Sequence, residues 1–246
     1  MLYLKQPNLI FVKSRKTAGT SLEIALSMSA QTGDVVTRLA LPDELLRQEL
    51  GGPFPFGWAE NVALEYEYIA FIRQLMKDGR TDISNKDLPP QFKKQRAFFN
   101  HMAPKDIVAK IGEDAFDSAY TVSMCRDPYE KLVSQAWFRA GNTGASFEDM
   151  VEHFLAKPDV TNQPLYFLEG EMVIDHVVRY EHLQDDIAEL EAETGLSILE
   201  HMSHAKGGYR KDQRPAREVL NEDQRLRCFE MCRWEFEYFG YESGFE

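Results

Sequence analysis

The chain has 246 residues, and a hydrophobic fraction of 43% with 12% aromatic residues is enough for the core of an α/β domain. Its formal net charge of -12 argues against general nucleic-acid binding and weighs mildly against a densely sulfated polyanion as a partner. No apolar run approaches the ~20 residues of a membrane span, and the N-terminus shows no signal-peptide pattern, so we expect a cytoplasmic protein.

The first predicted strand is the apolar run 9–12, and a short polar loop and a helical pattern follow it. The sequence of residues 11–26 is FVKSRKTAGTSLEIAL. A helix N-terminus after a strand binds anions readily, because its first backbone N–H groups are unpaired. The loop residues that suit an anion are Lys16, Thr17, Gly19, Thr20 and Ser21. An ordinary capped turn has the same outline, and the ATP-binding pattern G-x-x-x-x-G-K-[ST] is missing here.

About a hundred residues separate the first predicted strand from the second, which is too many for a simple crossover. Residues 34–97 are therefore predicted to form a helical insertion, with helices over 42–50 and 60–77 and a polar loop over 78–90. We interpret residues 1–246 as a single domain that includes this insertion.

The second predicted strand, residues 119–124, runs into the sequence CRDPYEKLVSQ. Asp127 suits a helix N-cap and Pro128 the first helical position, so a structural role explains both. Arg126 is different, because open α/β sheets bind ligands at the carboxyl ends of their strands. Its planar guanidinium suits a phosphate, and Ser134, two turns along the helix, can point back toward the same anion.

The third predicted strand covers residues 172–178 (MVIDHVV), and its helical pattern stops at Gly195. This alternation predicts an α/β fold with a P-loop-like, doubly wound parallel sheet flanked by helices, and with the helical insertion after the first βα unit. A last helix is predicted over residues 221–238. There Cys228 and Cys232 are interpreted as packing residues, and no His/Cys spacing indicates a metal site.

Together, the two loops resemble the carbohydrate sulfotransferases, which use 3′-phosphoadenosine 5′-phosphosulfate (PAPS). KSRKTAGTSL is similar to the P-K-T-A-G-T-S loop that holds the 5′-phosphosulfate in that family, and RDPYEKLVS is similar to the family signature RdPyeRlvS. VVRYEHLQDDIAEL and WEFEYFGYE resemble two further family segments with structural roles. The sequence departs from the pattern at Arg15, where proline is common, and at Lys131, where a second arginine is common.

The resemblance implies a PAPS site with two anchors. At the 5′ end the implied contacts are Lys13, Arg15, Lys16, Thr17, Ala18, Gly19, Thr20 and Ser21. At the 3′-phosphate they are Arg126 and Ser134. The basic segment 206–217 is either a solvated loop or a flap over the adenosine, and its candidate contacts are Lys206, Tyr209 and Arg210.

His101, in FFNHMAPKDIVAKIG, is the candidate general base. For an isolated histidine a structural role is the simpler interpretation. His101, however, resembles the histidine that acts as catalytic base in 2-O-sulfotransferase-like and related bacterial sequences. The weaker candidates for the base are Glu60, Glu65 and Glu67. Lys16 would stabilise the charge that develops on the leaving group.

The sequence therefore predicts a PAPS-dependent sulfotransferase, bacterial in style, that transfers a sulfuryl group in line to a hydroxyl of a carbohydrate or a small molecule without a metal. One alternative is a non-catalytic family member that binds PAPS or another nucleotide. The other is an ATP-dependent P-loop kinase, which would need a Walker lysine and an acidic Mg²⁺ ligand. Residues 34–97 resemble no family segment, and we expect them to build the acceptor pocket. The sequence leaves the acceptor and the oligomeric state open.

Overall fold

The computed structural model describes residues 1–80, 83–94, 96–157, 160–202 and 210–245, and it has an α/β architecture. The strands are β1 (Leu2–Leu4), β2 (Leu9–Phe11), β3 (Val35–Val36), β4 (Tyr120–Cys125), β5 (Phe167–Leu168), β6 (Glu171–Met172) and β7 (His176–Arg179). The α-helices are α1 (Gly19–Ser27), α2 (Leu41–Glu49), α3 (Val62–Lys77), α4 (Gln91–Lys94), α5 (Pro104–Ile111), α6 (Glu113–Asp117), α7 (Pro128–Thr143), α8 (Phe147–Leu155), α9 (Leu183–Thr194), α10 (Ala216–Val219) and α11 (Glu222–Phe239). Short 3-10 helices cover Asn85–Asp87, Gln163–Leu165, Tyr180–His182 and Leu199–His201.

The main sheet has five strands in the order β3-β1-β2-β4-β7, and it is mixed rather than wholly parallel as the sequence predicted. β2, β4 and β7 are parallel, whereas β1 pairs antiparallel with both β2 and β3. The reason is the short connection between β1 and β2, residues 5–8. A parallel crossover needs a dozen or more residues, whereas a connection this short joins antiparallel strands.

Helices cover both faces of the parallel part of the sheet. Leu9 and Phe11 pack with α1 and α9 in one buried cluster, and Ile10 and Val12 pack with α5 and α6 in another. Because side chains alternate along a strand, burial on both faces makes the strand a continuous apolar run. The prediction of a strand at residues 9–12 depended on that run.

The third predicted strand is interrupted. Residues 172–178 do not form one strand, because β6 ends at Met172 and β7 begins at His176. The Asp175 carboxylate accepts hydrogen bonds from the Thr121 backbone N–H at 2.8 Å and from the Thr121 hydroxyl at 2.7 Å. The side chain of Asp175 thus binds the Thr121 N–H of β4, which the backbone of a longer third strand would have bound. Only β7 therefore joins the sheet.

The insertion is helical, as predicted, with α2, α3 and α4 in residues 34–97. Its helices share a separate apolar cluster around Trp58, Tyr68 and Phe92. The segment also contributes β3 to the sheet, which the sequence analysis missed because β3 has only two residues.

Candidate functional site

The two predicted anion loops lie at the same edge of the sheet. β2 and β4 are parallel neighbours, with Phe11 opposite Val122, so the segments that follow them leave from the same side. Ser14 joins these segments, because its hydroxyl donates to the Met124 carbonyl at 2.5 Å and lies 2.7 Å from the Thr17 hydroxyl. Sequence stretches more than a hundred residues apart are therefore in direct contact.

The first loop has an unusual backbone. Lys16 and Ala18 adopt the left-handed conformation, with φ values of 61° and 65°, at a cost of about 1–2 kcal/mol for each non-glycine residue. A Cβ on Gly19 would lie 3.2 Å from Lys13 Cγ, so glycine permits the close approach of loop and helix. The first turn of α1 has no acidic residue. Its positive end therefore faces the loop without a neutralising carboxylate in that turn.

A cavity of about 890 Å³ opens beside this loop, and we call it the large cavity. The predicted site residues that line it are Lys13, Arg15, Lys16, Ala18, Gly19, Thr20, His101, Arg126, Ser134 and Arg210. Thr17 and Ser21 are buried and do not line it, and Thr17 instead hydrogen-bonds Ser14. Lys206 and Tyr209 lie outside the described residues. Neither Glu60, Glu65 nor Glu67 lines the cavity.

The charged side chains that line the large cavity are cations. Its lining contains seven lysines and arginines, namely Lys13, Arg15, Lys16, Arg126, Arg139, Lys157 and Arg210. Among the described residues that line it there is no aspartate or glutamate. In a chain with a formal net charge of -12, this concentration of cations indicates a site for an anion with several negative charges.

A buried polar network that the sequence analysis missed supports the first loop. Asn162, fully buried, accepts from the Arg15 N–H at 2.9 Å and donates to the Arg15 carbonyl at 3.0 Å. Its own N–H donates to Glu235 at 2.9 Å, and Glu235 forms a buried ion pair with Lys131. Lys131, at the position of the second family arginine, is thus a structural residue here. No local pattern marks Asn162, since its partners are far away in the sequence.

Lys13 forms a second buried ion pair below the loop. Its ammonium lies 2.7 Å from the carboxylate of Glu23 on α1, and both side chains are almost fully buried. Although burial opposes ionisation, the ammonium groups of Lys13 and Met1 hold the pKa of Glu23 at about 2. Lys13 is therefore a partly neutralised cation, and its backbone carbonyl faces His101.

Lys16 extends over the ring of Phe138 on α7, with its ammonium 4.1 Å from the ring centroid. Such a cation–π contact attracts the ammonium to the face of the ring and so favours this position of the charge. Both residues line the large cavity.

His101 has a fixed tautomer. Its Nδ1 lies 2.9 Å from the Lys13 carbonyl oxygen, and because a carbonyl can only accept, Nδ1 must carry a hydrogen. Burial and the nearby charge of Lys13 lower the pKa of His101 to about 3, so the ring is neutral at physiological pH and Nε2 keeps its lone pair. The φ of 58° at His101 is a third left-handed backbone conformation at this site.

Arg126 lies at the carboxyl end of β4, as predicted, between an aromatic ring and an acid. Its guanidinium is 4.2 Å from the centroid of the Tyr180 ring and 3.5 Å from the Glu130 carboxylate. The Nε of Arg126 and the Oε1 of Gln135 are buried without a hydrogen-bond partner among the described residues. Both residues line the large cavity. Such unpaired atoms are expected where a polar ligand completes the site.

Tyr180 follows the carboxyl end of β7, and the rule that identified Arg126 could have identified it as well. The next residue, Glu181, accepts from the Asp127 N–H at 2.9 Å and from the Tyr241 hydroxyl at 2.9 Å. The segments RYEHL and FGYE, interpreted as structural from the sequence, therefore position the Arg126 loop.

A second cavity of about 410 Å³, which we call the small cavity, adjoins the large one. Lys13, His101 and Phe138 line both. His101 therefore lies at the boundary between two binding spaces, where a base can contact a group from either side.

The described residues contain no group of three or more His, Cys, Asp or Glu that could hold a metal ion. In the part of the chain that the structure describes, no helix is long and apolar enough to span a membrane. No protein-family model, curated protein or solved structure matches the chain.

Proposed function

We propose that the protein is a sulfotransferase that moves the sulfuryl group of PAPS to a hydroxyl of an acceptor. The observation that carries this proposal is the large cavity, whose described lining holds seven lysines and arginines and no acid. Three of these cations have an acidic partner outside the lining, since Lys13 pairs with Glu23, and Arg126 and Arg210 pair with Glu130. It extends from the helix N-terminus of the first loop to Arg126, and a neutral histidine lies at its boundary.

The donor suits the two ends of the large cavity. The 5′-phosphosulfate is bound by the first loop and by Lys16, and the 3′-phosphate is bound by Arg126 and Ser134. The unpaired Nε of Arg126 and the planar set of N–H donors of its guanidinium favour a phosphate group as the partner. Tyr180 adds aromatic surface for the adenosine.

The chemical step uses His101 and Lys16. The acceptor hydroxyl gives its proton to Nε2 of His101, and its oxygen forms a bond to sulfur while the bond from sulfur to the phosphate oxygen breaks. Negative charge then grows on the leaving 3′,5′-diphosphoadenosine, where Lys16 stabilises it. The Lys13 carbonyl accepts the Nδ1–H of His101, which holds Nε2 free for the proton.

A kinase fits the large cavity less well. A nucleoside triphosphate reacts as its Mg²⁺ complex, and the protein usually supplies an acidic side chain to the metal. The described residues that line the large cavity include no such side chain. The pair of separated anion sites also matches a nucleotide that is phosphorylated at both the 3′ and 5′ positions.

Thermal unfolding with added nucleotides tests the donor. We expect 3′,5′-diphosphoadenosine to raise the melting temperature of the wild type more than ATP or ATP with Mg²⁺ does, since ligands stabilise the folded state that binds them. Arg126→Ala should lose most of this increase. Arg233→Ala serves as the control, at an exposed residue that does not line the large cavity, pairs with Glu237 on its own helix and lies over the Phe229 ring.

The proposal would be overturned if ATP with Mg²⁺ stabilised the protein and 3′,5′-diphosphoadenosine did not. Once donor binding is established, labelled PAPS and a set of hydroxylated acceptors test turnover. Donor binding without transfer to any acceptor would favour the non-catalytic alternative.

A further inference from the structure

The small cavity has its own chemistry. Its walls come from residues 38–40 and Asp43 of α2, from seven residues between Asn85 and Asn100, and from the three residues shared with the large cavity. His101 therefore lines a second space that adjoins the one at the anion loops. In the proposed reaction the acceptor hydroxyl must reach His101, and the small cavity offers room for it there.

Cations dominate the polar part of the small cavity. Arg38, Lys93 and Arg96 line it in addition to Lys13, which is already paired with Glu23. Asp43 is the acid among the described residues of the lining. The local charge is thus positive, opposite in sign to the charge of the whole chain.

Arg38 is a preorganised cation. Only 8% of the residue is exposed, and its guanidinium lies 4.3 Å from the Trp58 ring centroid and 5.1 Å from that of Tyr68. Its Nη2 donates to the Phe92 carbonyl at 2.5 Å, whereas its Nε has no hydrogen-bond partner among the described residues. A buried, rigidly held guanidinium with an unused donor gains strongly from an anionic partner.

The rest of the wall is apolar. Phe98, Phe99 and Phe138 present aromatic surface to the small cavity, and Leu39 and Leu88 add aliphatic surface. A ligand with an apolar or aromatic body buries its surface against these side chains.

We propose that the small cavity binds the acceptor, and that the acceptor is a small hydroxylated molecule with an apolar body and one anionic group, such as a carboxylate. The anion lies against Arg38 and Arg96, the body against the phenylalanines, and the hydroxyl at His101. This inference rests on the proposed sulfotransferase function, and it narrows the substrate class.

A volume of about 410 Å³ suits a small molecule rather than a long polymer. The formal net charge of -12 also opposes the approach of a polyanion. Both observations disfavour an acidic polysaccharide. It is the main competing occupant all the same, and the experiment includes it.

Calorimetric titration of the protein saturated with 3′,5′-diphosphoadenosine tests the inference with ligands that differ in charge. The probes are 4-hydroxyphenylacetate and 4-hydroxybenzoate, their neutral methyl esters, and the cation tyramine; hyaluronan fragments represent the polysaccharide. We expect each acid to bind about tenfold more tightly than its ester, and tyramine to bind most weakly.

Arg96→Gln, at an exposed position, should remove most of the preference for the acid and leave the affinity for 3′,5′-diphosphoadenosine within about twofold. Arg233→Gln is the matched control and should keep the preference. The inference would be overturned if each acid bound with the same affinity as its methyl ester, or if neither the acids nor the esters bound. Tighter binding of the hyaluronan fragments than of the acids would overturn it as well. If 3′,5′-diphosphoadenosine itself fails to bind, the proposed function fails instead, and the same titration of the free protein still tests the anion site.

Discussion

The Nδ1 of His101 lies 2.9 Å from the carbonyl oxygen of Lys13, the residue that begins the phosphosulfate loop predicted from the sequence. This bond joins the candidate base to the candidate donor site. Because the carbonyl requires a hydrogen on Nδ1, the lone pair of the ring is on Nε2. The same loop that would hold the sulfuryl group therefore also orients the base.

We expect His101 to be neutral far into the acid range. Burial first, and then the charge of Lys13, lower its pKa to about 3, compared with an ordinary value of 6.5. An NMR titration of the ligand-free protein measures this directly, and His101→Gln identifies the signal. A His101 that gains its proton near pH 6.5 would contradict the described burial.

The same pKa predicts a loss of stability on acidification. Below about pH 6.5 the unfolded chain binds a proton at His101 and the folded chain does not, so the free energy of unfolding falls as the pH drops toward 3. The slope from one proton is at most about 1.4 kcal/mol per pH unit. Urea unfolding between pH 6.5 and 5, above the range where ordinary carboxylates titrate, should show a shallower slope for His101→Gln than for the wild type.

Lys16→Ala should reduce turnover much more than donor affinity. Charge on the leaving group is greatest in the transition state, so loss of the ammonium should lower kcat by about 10²–10³-fold. The KM for PAPS should change far less, and steady-state kinetics separates the two. Lys110→Ala, at an exposed residue beside Glu60, is a matched control. An unchanged kcat for Lys16→Ala would remove Lys16 from the mechanism.

The Lys131–Glu235 pair should be important for stability. Both side chains are about 1% exposed, and Lys131→Met would leave a buried carboxylate without its cation, at a cost of about 3–5 kcal/mol. The double variant Lys131→Met/Glu235→Gln keeps an acceptor for the Asn162 N–H and should recover part of the loss. A single-variant cost below about 1 kcal/mol, typical of an exposed pair, would show that the pair is not buried in solution.

The sequence predicted the parts of the site that local patterns encode. The first loop begins at Lys13, directly after an apolar run, and Arg126 follows the next one. Their position at strand ends is enough to place both loops at one sheet edge. Sequence spacing does not show that the side chains of Thr17, in the loop, and Ser21, in α1, are buried; whether they contact a donor stays a prediction.

The residues missed depend on contacts between distant segments. Asn162 binds Arg15 across 147 positions, and Glu235 joins this network from the last helix. The antiparallel strands β1 and β3 have three and two residues. These are too few for the alternation of side chains along a strand to be detected in the sequence. Asp175 interrupts an apolar run that has the composition of a strand, because it bonds to Thr121 in a way that no pattern predicts.

Isothermal titration of the wild type with 3′,5′-diphosphoadenosine and with 5′-AMP tests the two-anchor donor site most directly. The pair differs only by the 3′-phosphate, which charge-assisted bonds to Arg126 would hold. We predict that 3′,5′-diphosphoadenosine binds about 10- to 100-fold more tightly, and that Arg126→Ala removes this difference without weakening the binding of 5′-AMP. Equal affinities for the two nucleotides in the wild type would contradict the account.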